Sequence, residues 1–138
     1  MKNLVAIFGG HDANITFYNA ETNKYYVIEL ERLVKKRYFR LHVDNSKEEQ
    51  YNILKQCQII AEKNWGVKND FEKVLMCSDG FIQVDPREIF NTQKITTVAR
   101  HHHCHAASSF YQSPFSQALI LSYDGGGDDG FFNVYVGN

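Results

Sequence analysis

The stretch Leu4-Val5-Ala6-Ile7-Phe8-Gly9-Gly10-His11-Asp12-Ala13-Asn14-Ile15-Thr16-Phe17-Tyr18 decides the fold. Leu4 to Phe8 is an unbroken apolar run closed by two glycines, which fits a buried strand entering a tight turn. Ile15 to Tyr18 is rich in β-branched and aromatic residues. It stops at Asn19-Ala20-Glu21-Thr22-Asn23, a turn by composition. Tyr25 to Leu30 then reads as a third strand. The chain therefore opens as an antiparallel meander.

Downstream, Ser46-Lys47-Glu48-Glu49 has the spacing of a capping box and predicts a helix start. Tyr51, Leu54, Gln58, Ile59 and Trp65 continue it, Ile53, Cys57, Ile60 and Ala61 widen its apolar face, and Gly66 is a natural end. Lys73 to Cys77 reads as an apolar strand after the helix, which fits a mixed sheet covered on at least one face. Residues 78–97 are less regular, with a break at Asp85-Pro86 and a short strand over Ile95 to Val98. A helix is expected over His101 to Tyr111, packing through Ala106, Ala107 and Phe110 and ended by Ser113-Pro114. Ala118 to Tyr123 and Phe131 to Val136 read as the strands of a hairpin. The expected class is α/β: a mixed sheet opening with an antiparallel strand meander, with helices packed on it.

The chain has 138 residues, 43% hydrophobic and 22% charged, which is ordinary for one globular domain. Its formal net charge of -1 provides no global attraction to nucleic acid or to an acidic membrane. The basic run Arg32, Lys35, Lys36, Arg37, Arg40 is read as a solvated or substrate-facing patch. Cys57, Cys77 and Cys104 form no CxxC pair, so a cysteine-type structural zinc site is not indicated. An odd cysteine count and an N-terminus that reads as a strand favour a reducing, cytoplasmic setting. No apolar run approaches the roughly 20 residues needed to cross a bilayer.

The chemistry concentrates in Arg100-His101-His102-His103-Cys104-His105-Ala106 and Asp124-Gly125-Gly126-Gly127-Asp128-Asp129-Gly130. On a helix, His101 and His105 share one face and can chelate one ion from consecutive turns. Asp124, at the end of the next strand, is the candidate third ligand. Imidazole suits Fe, Zn, Ni or Cu, and a carboxylate with waters adds Mn. His102 and His103 point elsewhere, and Cys104 is read as a packed small hydrophobe. No His-Glu-x-x-His motif is present, so a protease-type zinc helix is not supported. Gly125, Gly126 and Gly127 let backbone N–H groups approach phosphate oxygens, with Asp128 beside them to orient a metal or water. No Gly-Lys-Ser/Thr follows, so this is not a Walker A loop. A plain acidic hairpin turn is the competing reading. Gly9 to Asn14 is a second polar turn, where His11 can act as donor, acid or base near neutral pH.

Gly10-His11-Asp12-Ala13-Asn14-Ile15, Glu31-Arg32-Leu33, His101 to Tyr111 and Asp124-Gly125-Gly126-Gly127-Asp128, in this order, resemble the N-terminal region of the O-carbamoyltransferases that act on nodulation factors and antibiotics. That family is related to threonylcarbamoyladenosine synthase and to the actin/hexokinase-like, or ribonuclease H-like, ATPases. The resemblance implies that residues 1–138 are the N-terminal lobe of an ATP-dependent carbamoyltransferase domain, truncated and inactive alone. It implies Fe(II) or Mn(II) on His101, His105 and Asp124, with a further aspartate beyond residue 138. ATP and carbamoyl phosphate would react to carbamoyladenylate, and the carbamoyl group would pass to a hydroxyl of a small-molecule acceptor. His11 would lie at the carbamoyl donor, with Lys36 or Arg37 as the basic residue on the same anion. The family's aromatic, serine and Lys-His pair are absent here, where the chain reads Leu33-Val34-Lys35-Lys36-Arg37-Tyr38. Expected partners are the acceptor, the remainder of the same polypeptide and, as an option, a second copy in a homodimer, with no nucleic acid and no membrane. The competing functions are a threonylcarbamoyl transferase-like tRNA-modifying protein and a noncatalytic metal- or nucleotide-binding module.

Overall fold

The structure is a computed structural model that describes residues 2–43, 45–77, 82–98 and 100–138. The chain divides into two compact units, Met1–Val98 and Ala99–Asn138.

In the first unit, β1 (Asn3–Phe8), β2 (Asn14–Asn19) and β3 (Lys24–Glu29) form the meander, with β1–β2 and β2–β3 antiparallel. β4 (Phe71–Cys77) lies parallel to β1, and β5 (Ile95–Val98) lies parallel to β4, giving the order β3-β2-β1-β4-β5. The sheet is mixed because a long helical connection leads from β3 to β4 and lets β4 return parallel to β1, whereas the meander turns are too short for parallel pairing. Alternation sends Val5, Ile7, Ile15, Phe17, Val74 and Met76 into the core. Phe17, Phe71 and Phe90 pack together there, with ring centroids 5.7 to 6.3 Å apart.

Helix α2 (Lys47–Trp65) closes one side of this core. Its capping box is complete: Ser46 N–H donates to Glu49 Oε2 at 2.7 Å, and Glu49 N–H donates to Ser46 Oγ at 3.2 Å. Gly66, at φ 65, ends it in a left-handed conformation that costs glycine little. The buried stripe is Gln50, Leu54, Cys57, Gln58 and Ala61, while Ile59 is half exposed and does not belong to the packed face as expected. Two glutamines, Gln50 and Gln58, are buried on this face because their amides are hydrogen-bonded. Gln50 accepts from Gln83 N–H and donates to the Asn45 carbonyl, and Gln58 donates to Glu62.

The third strand ends one residue early. Leu30 begins a short helix, α1 (Leu30–Val34), with its N–H donating to the Ala13 carbonyl at 2.9 Å. Of the irregular stretch 78–97, residues 78–81 lie outside the described residues. The remainder holds one 3-10 turn, Pro86–Glu88, capped by Asp85.

The second unit is α3 (His101–Tyr111) packed on a hairpin of β6 (Ala118–Gly127) and β7 (Gly130–Gly137). Ala106 is buried against the hairpin, while Ala107 and Phe110 are half-buried. The glycine segment expected as a loop is the end of β6. Pairing shifts register after Tyr123 and resumes at Gly127↔Gly130, so only Asp128 and Asp129 form the turn. Glycine-rich backbone tolerates this bulge because Gly126 sits at φ 148 and Gly130 at φ 105. The opposite face of the hairpin presents Leu119, Leu121, Tyr123, Phe132, Val134 and Val136, all exposed. Among the described residues, no helix is long and apolar enough to cross a membrane.

Candidate functional site

Helical spacing puts His101 and His105 on one face of α3, and that face meets β6 at Asp124. His101 Nε2 lies 2.8 Å from Asp124 Oδ2, His105 Nε2 lies 3.4 Å from the same oxygen, and the two ring nitrogens are 2.9 Å apart. Asp124 Oδ1 accepts from the Gly125 N–H at 2.6 Å, which turns Oδ2 toward the imidazoles. The bond from His101, then that from Gly125, hold the Asp124 carboxyl down to about 2, well under its ordinary value.

Protons alone do not satisfy this cluster. A ring nitrogen carries one in-plane hydrogen or one in-plane lone pair, yet His101 Nε2 has two partners inside 3 Å. A divalent ion with bonds of about 2.1 Å holds ligand atoms about 3.0 Å apart at right angles and about 3.4 Å apart in a tetrahedron. The observed spacings of 2.8, 2.9 and 3.4 Å lie within about 0.2 Å of those values. Two neutral nitrogens and one carboxylate oxygen suit Fe(II), Mn(II) or Zn(II), and leave coordination positions for water or substrate. The arrangement is open on one side: the His101 side chain is 12% exposed but His105 is 56%. A groove of about 210 Å³ runs past His105 and Asp124 to Ser109, Ile120 and Tyr123.

The remaining residues of the two motifs hold helix and hairpin together. Asp128 Oδ1 accepts from the His101 N–H at 2.7 Å, and Asp129 Oδ1 accepts from the His102 N–H at 3.0 Å. These carboxylates cap α3 across the chain, in place of Arg100, whose side chain makes no capping bond. Burial raises the Asp129 carboxyl, but its bond from the His102 N–H and other contacts outweigh this and lower it. Gly127 makes room for His101: a Cβ at this position would stand 2.6 Å from His101 Cβ. Asp128 and Gly127, expected beside a phosphate, thus have structural duties within the hairpin. Gly125 has open space at its α-carbon.

His102 is fully buried, with Nδ1 2.7 Å from Ser122 Oγ and Nε2 2.9 Å from the Gly130 carbonyl. His103 stacks on Tyr135 at 5.7 Å between centroids. Cys104 is exposed, contrary to the expectation of a packed thiol, because it lies off the face that α3 turns to the hairpin.

In the first unit, His11 is exposed, 2.9 Å from Asp12 Oδ2 and edge-on to Phe8. The basic stretch folds back on the turn that carries it. Lys35 and Tyr38 take left-handed conformations at φ 56 and 55, and the Tyr38 N–H donates to Glu31 Oε2. Phe39 and Leu41 are buried, and His42 donates from both its N–H and Nδ1 to the Gly9 carbonyl. Lys36 lies over the Phe39 ring and Arg37 over Tyr38, both exposed to solvent. The His42 tie was not legible in the sequence, since no spacing rule connects residue 42 to residue 9.

A protein-family model described as the carbamoyltransferase N-terminus matches residues 13–137. No curated protein and no solved structure matches the chain. The matched span begins two residues after His11 and includes Lys36, Arg37, His101, His105 and Asp124. Because it covers nearly the whole chain, the chain belongs to the carbamoyltransferase family, as its N-terminal region.

Proposed function

We propose that the chain is the N-terminal lobe of an enzyme that moves a carbamoyl group from carbamoyl phosphate, through carbamoyladenylate, to a hydroxyl of a small-molecule acceptor. The observation that carries this reading is the convergence of His101, His105 and Asp124 on one point, within a chain of this family. His101, His105 and Asp124 would hold Fe(II) or Mn(II), which when bound supplies positive charge for the phosphate oxygens of ATP. Water would first cleave carbamoyl phosphate to carbamate and inorganic phosphate; the carbamate oxygen would then attack the α-phosphorus of ATP and expel pyrophosphate, which brings anions together. The backbone N–H of Gly126 would offset the remaining repulsion. His11, with Lys36 or Arg37, would bind the carbamoyl donor. The acceptor oxygen then attacks the carbamoyl carbon, AMP leaves, and the acceptor proton passes to a base or to water. The labile intermediate requires a closed cleft, so a second lobe would complete the site and residues 1–138 alone would be inactive. The opening meander of the mixed sheet supports an actin/hexokinase-like lobe, which begins the same way.

The test, on the intact gene product with its second lobe, is the Fe, Mn and Zn content beside that of its His101→Ala and Asp124→Ala forms, together with carbamoyl phosphate-dependent conversion of ATP to AMP and pyrophosphate. Loss of metal and of that conversion in both variants is expected. Unchanged metal stoichiometry in both rejects the ligand set, and acceptor carbamoylation by residues 1–138 alone rejects the lobe.

A further inference from the structure

The triad is divided between two elements, with both imidazoles on α3 and the carboxylate on β6. Its geometry is therefore a register between helix and hairpin. Apolar packing sets that register weakly, because Ala106 is the one buried hydrophobic residue among those described in 100–138. Directed polar bonds must supply the rest.

His102 makes two of them. It stands on the helix beside His101 and reaches Ser122 of β6, two residues from Asp124 and on the same face of that strand, and Gly130 at the start of β7. The Gly130 carbonyl only accepts, so Nε2 carries the proton and Nδ1 accepts from the Ser122 hydroxyl. Both ring nitrogens are thus committed, and the ring is fully buried. Two bonds to two strands fix both the rotation of α3 about its axis and its height over the hairpin. The Asp129 bond to the His102 N–H fastens the same residue a third time, at the turn.

We infer that His102 is a positioning residue for the His101–His105–Asp124 centre: not a ligand itself, but the clamp that holds the two histidine ligands over the carboxylate. This inference rests on the metal reading given above. A histidine that merely filled the interior would lower stability when removed but would not separate metal affinity from stability. A clamp does separate them, because a ligand displaced by a few tenths of an ångström weakens coordination in a chain that is still folded.

The experiment titrates Mn(II) into the full chain by calorimetry, with electron paramagnetic resonance to follow free ion, for the unsubstituted protein and for His102→Ala, His102→Asn, Ser122→Ala and Phe110→Ala. Phe110 packs on Gly137 at the far end of α3 and serves as a control for stability loss alone. His102→Ala and Ser122→Ala should weaken Mn(II) binding by about 10–100-fold, as removal of a partner behind metal ligands does elsewhere. His102→Asn, whose amide oxygen can replace Nδ1 toward Ser122, should recover part of that loss. Phe110→Ala should stay within about twofold at equal or greater loss of thermal stability. If His102→Ala does not fold, Ser122→Ala decides. Wild-type affinity in Ser122→Ala and in any folded His102 variant overturns the inference while leaving the triad standing. So does a loss in Phe110→Ala equal to that in His102→Ala. Absence of Mn(II) binding by the unsubstituted chain overturns the metal reading and this inference together.

Discussion

Replacing Gly127 with alanine tests the centre through space alone. The added Cβ would lie 2.6 Å from His101 Cβ, 2.8 Å from Cγ and 3.0 Å from Cδ2. Carbon atoms settle at about 3.5 Å or more, so roughly 0.9 Å must be found. Rotating the imidazole does not provide it, since His101 Cβ moves only with the backbone. Either α3 lifts from the hairpin or β6 bends away, and both separate His101 from Asp124. Overpacking of this kind costs about 1–3 kcal/mol, and metal–ligand bonds tolerate only about 0.2 Å of displacement. Amide hydrogen exchange over residues 100–138 should report the lost protection, and calorimetry should show Mn(II) affinity reduced at least about tenfold. Gly125→Ala is the matched control: its Cβ meets nothing within 4 Å, and neither glycine has the positive φ that would strain alanine. Gly125→Ala should leave exchange and Mn(II) binding unchanged. Native protection and affinity in Gly127→Ala would refute the claim that this glycine exists to admit His101.

Two further outcomes concern the first unit. The Glu49 carboxyl is held below its usual value by the Ser46 N–H and then by the Ser46 hydroxyl. A depressed folded value means that the cap stabilises fully above the unfolded value of about 4.3 and is lost as pH falls through the folded one. Glu49→Gln should therefore melt lower than the parent at pH 7, with the gap closing on acidification below that range; a gap independent of pH counts against the capping box. Gln50→Leu removes two internal bonds and leaves the Gln83 N–H and the Asn45 carbonyl without their side-chain partner. Denaturant unfolding should show a loss of about 1–3 kcal/mol, and no loss would mean that water replaces the glutamine.

Most elements were legible in the sequence because each has a local cause. The meander is marked by glycine and asparagine turns between β-rich runs, α2 by its capping box and Gly66, and α3 by its spacing. The errors have local causes too. Leu30 looked like strand because it is apolar, but its backbone N–H turns to Ala13 and its side chain is buried at a helix start. Gly125 to Gly127 looked like a loop because glycine disfavours strands, yet pairing with the returning strand resumes at Gly127. Ile59 faces outward while Gln50 and Gln58 are buried: Gln50 bonds across to Gln83 and Asn45, and Gln58 along its own helix to Lys55 and Glu62, partnerships that composition does not reveal.

For the candidate centre the division is sharper. Sequence by itself determined that His101 and His105 share a helix face, since four residues span about one turn, and its motifs pointed to the family and to Asp124 as their companion. Tertiary structure alone decided how close the three atoms come, that Asp128 and Asp129 cap α3, that Gly127 yields its Cβ space to His101, and that His102 clamps helix to hairpin. The physical reason is range. Spacing rules act within a few residues of one element, whereas these contacts join residues 20 to 28 positions apart, and only the packing of α3 on β6 and β7 sets their distances.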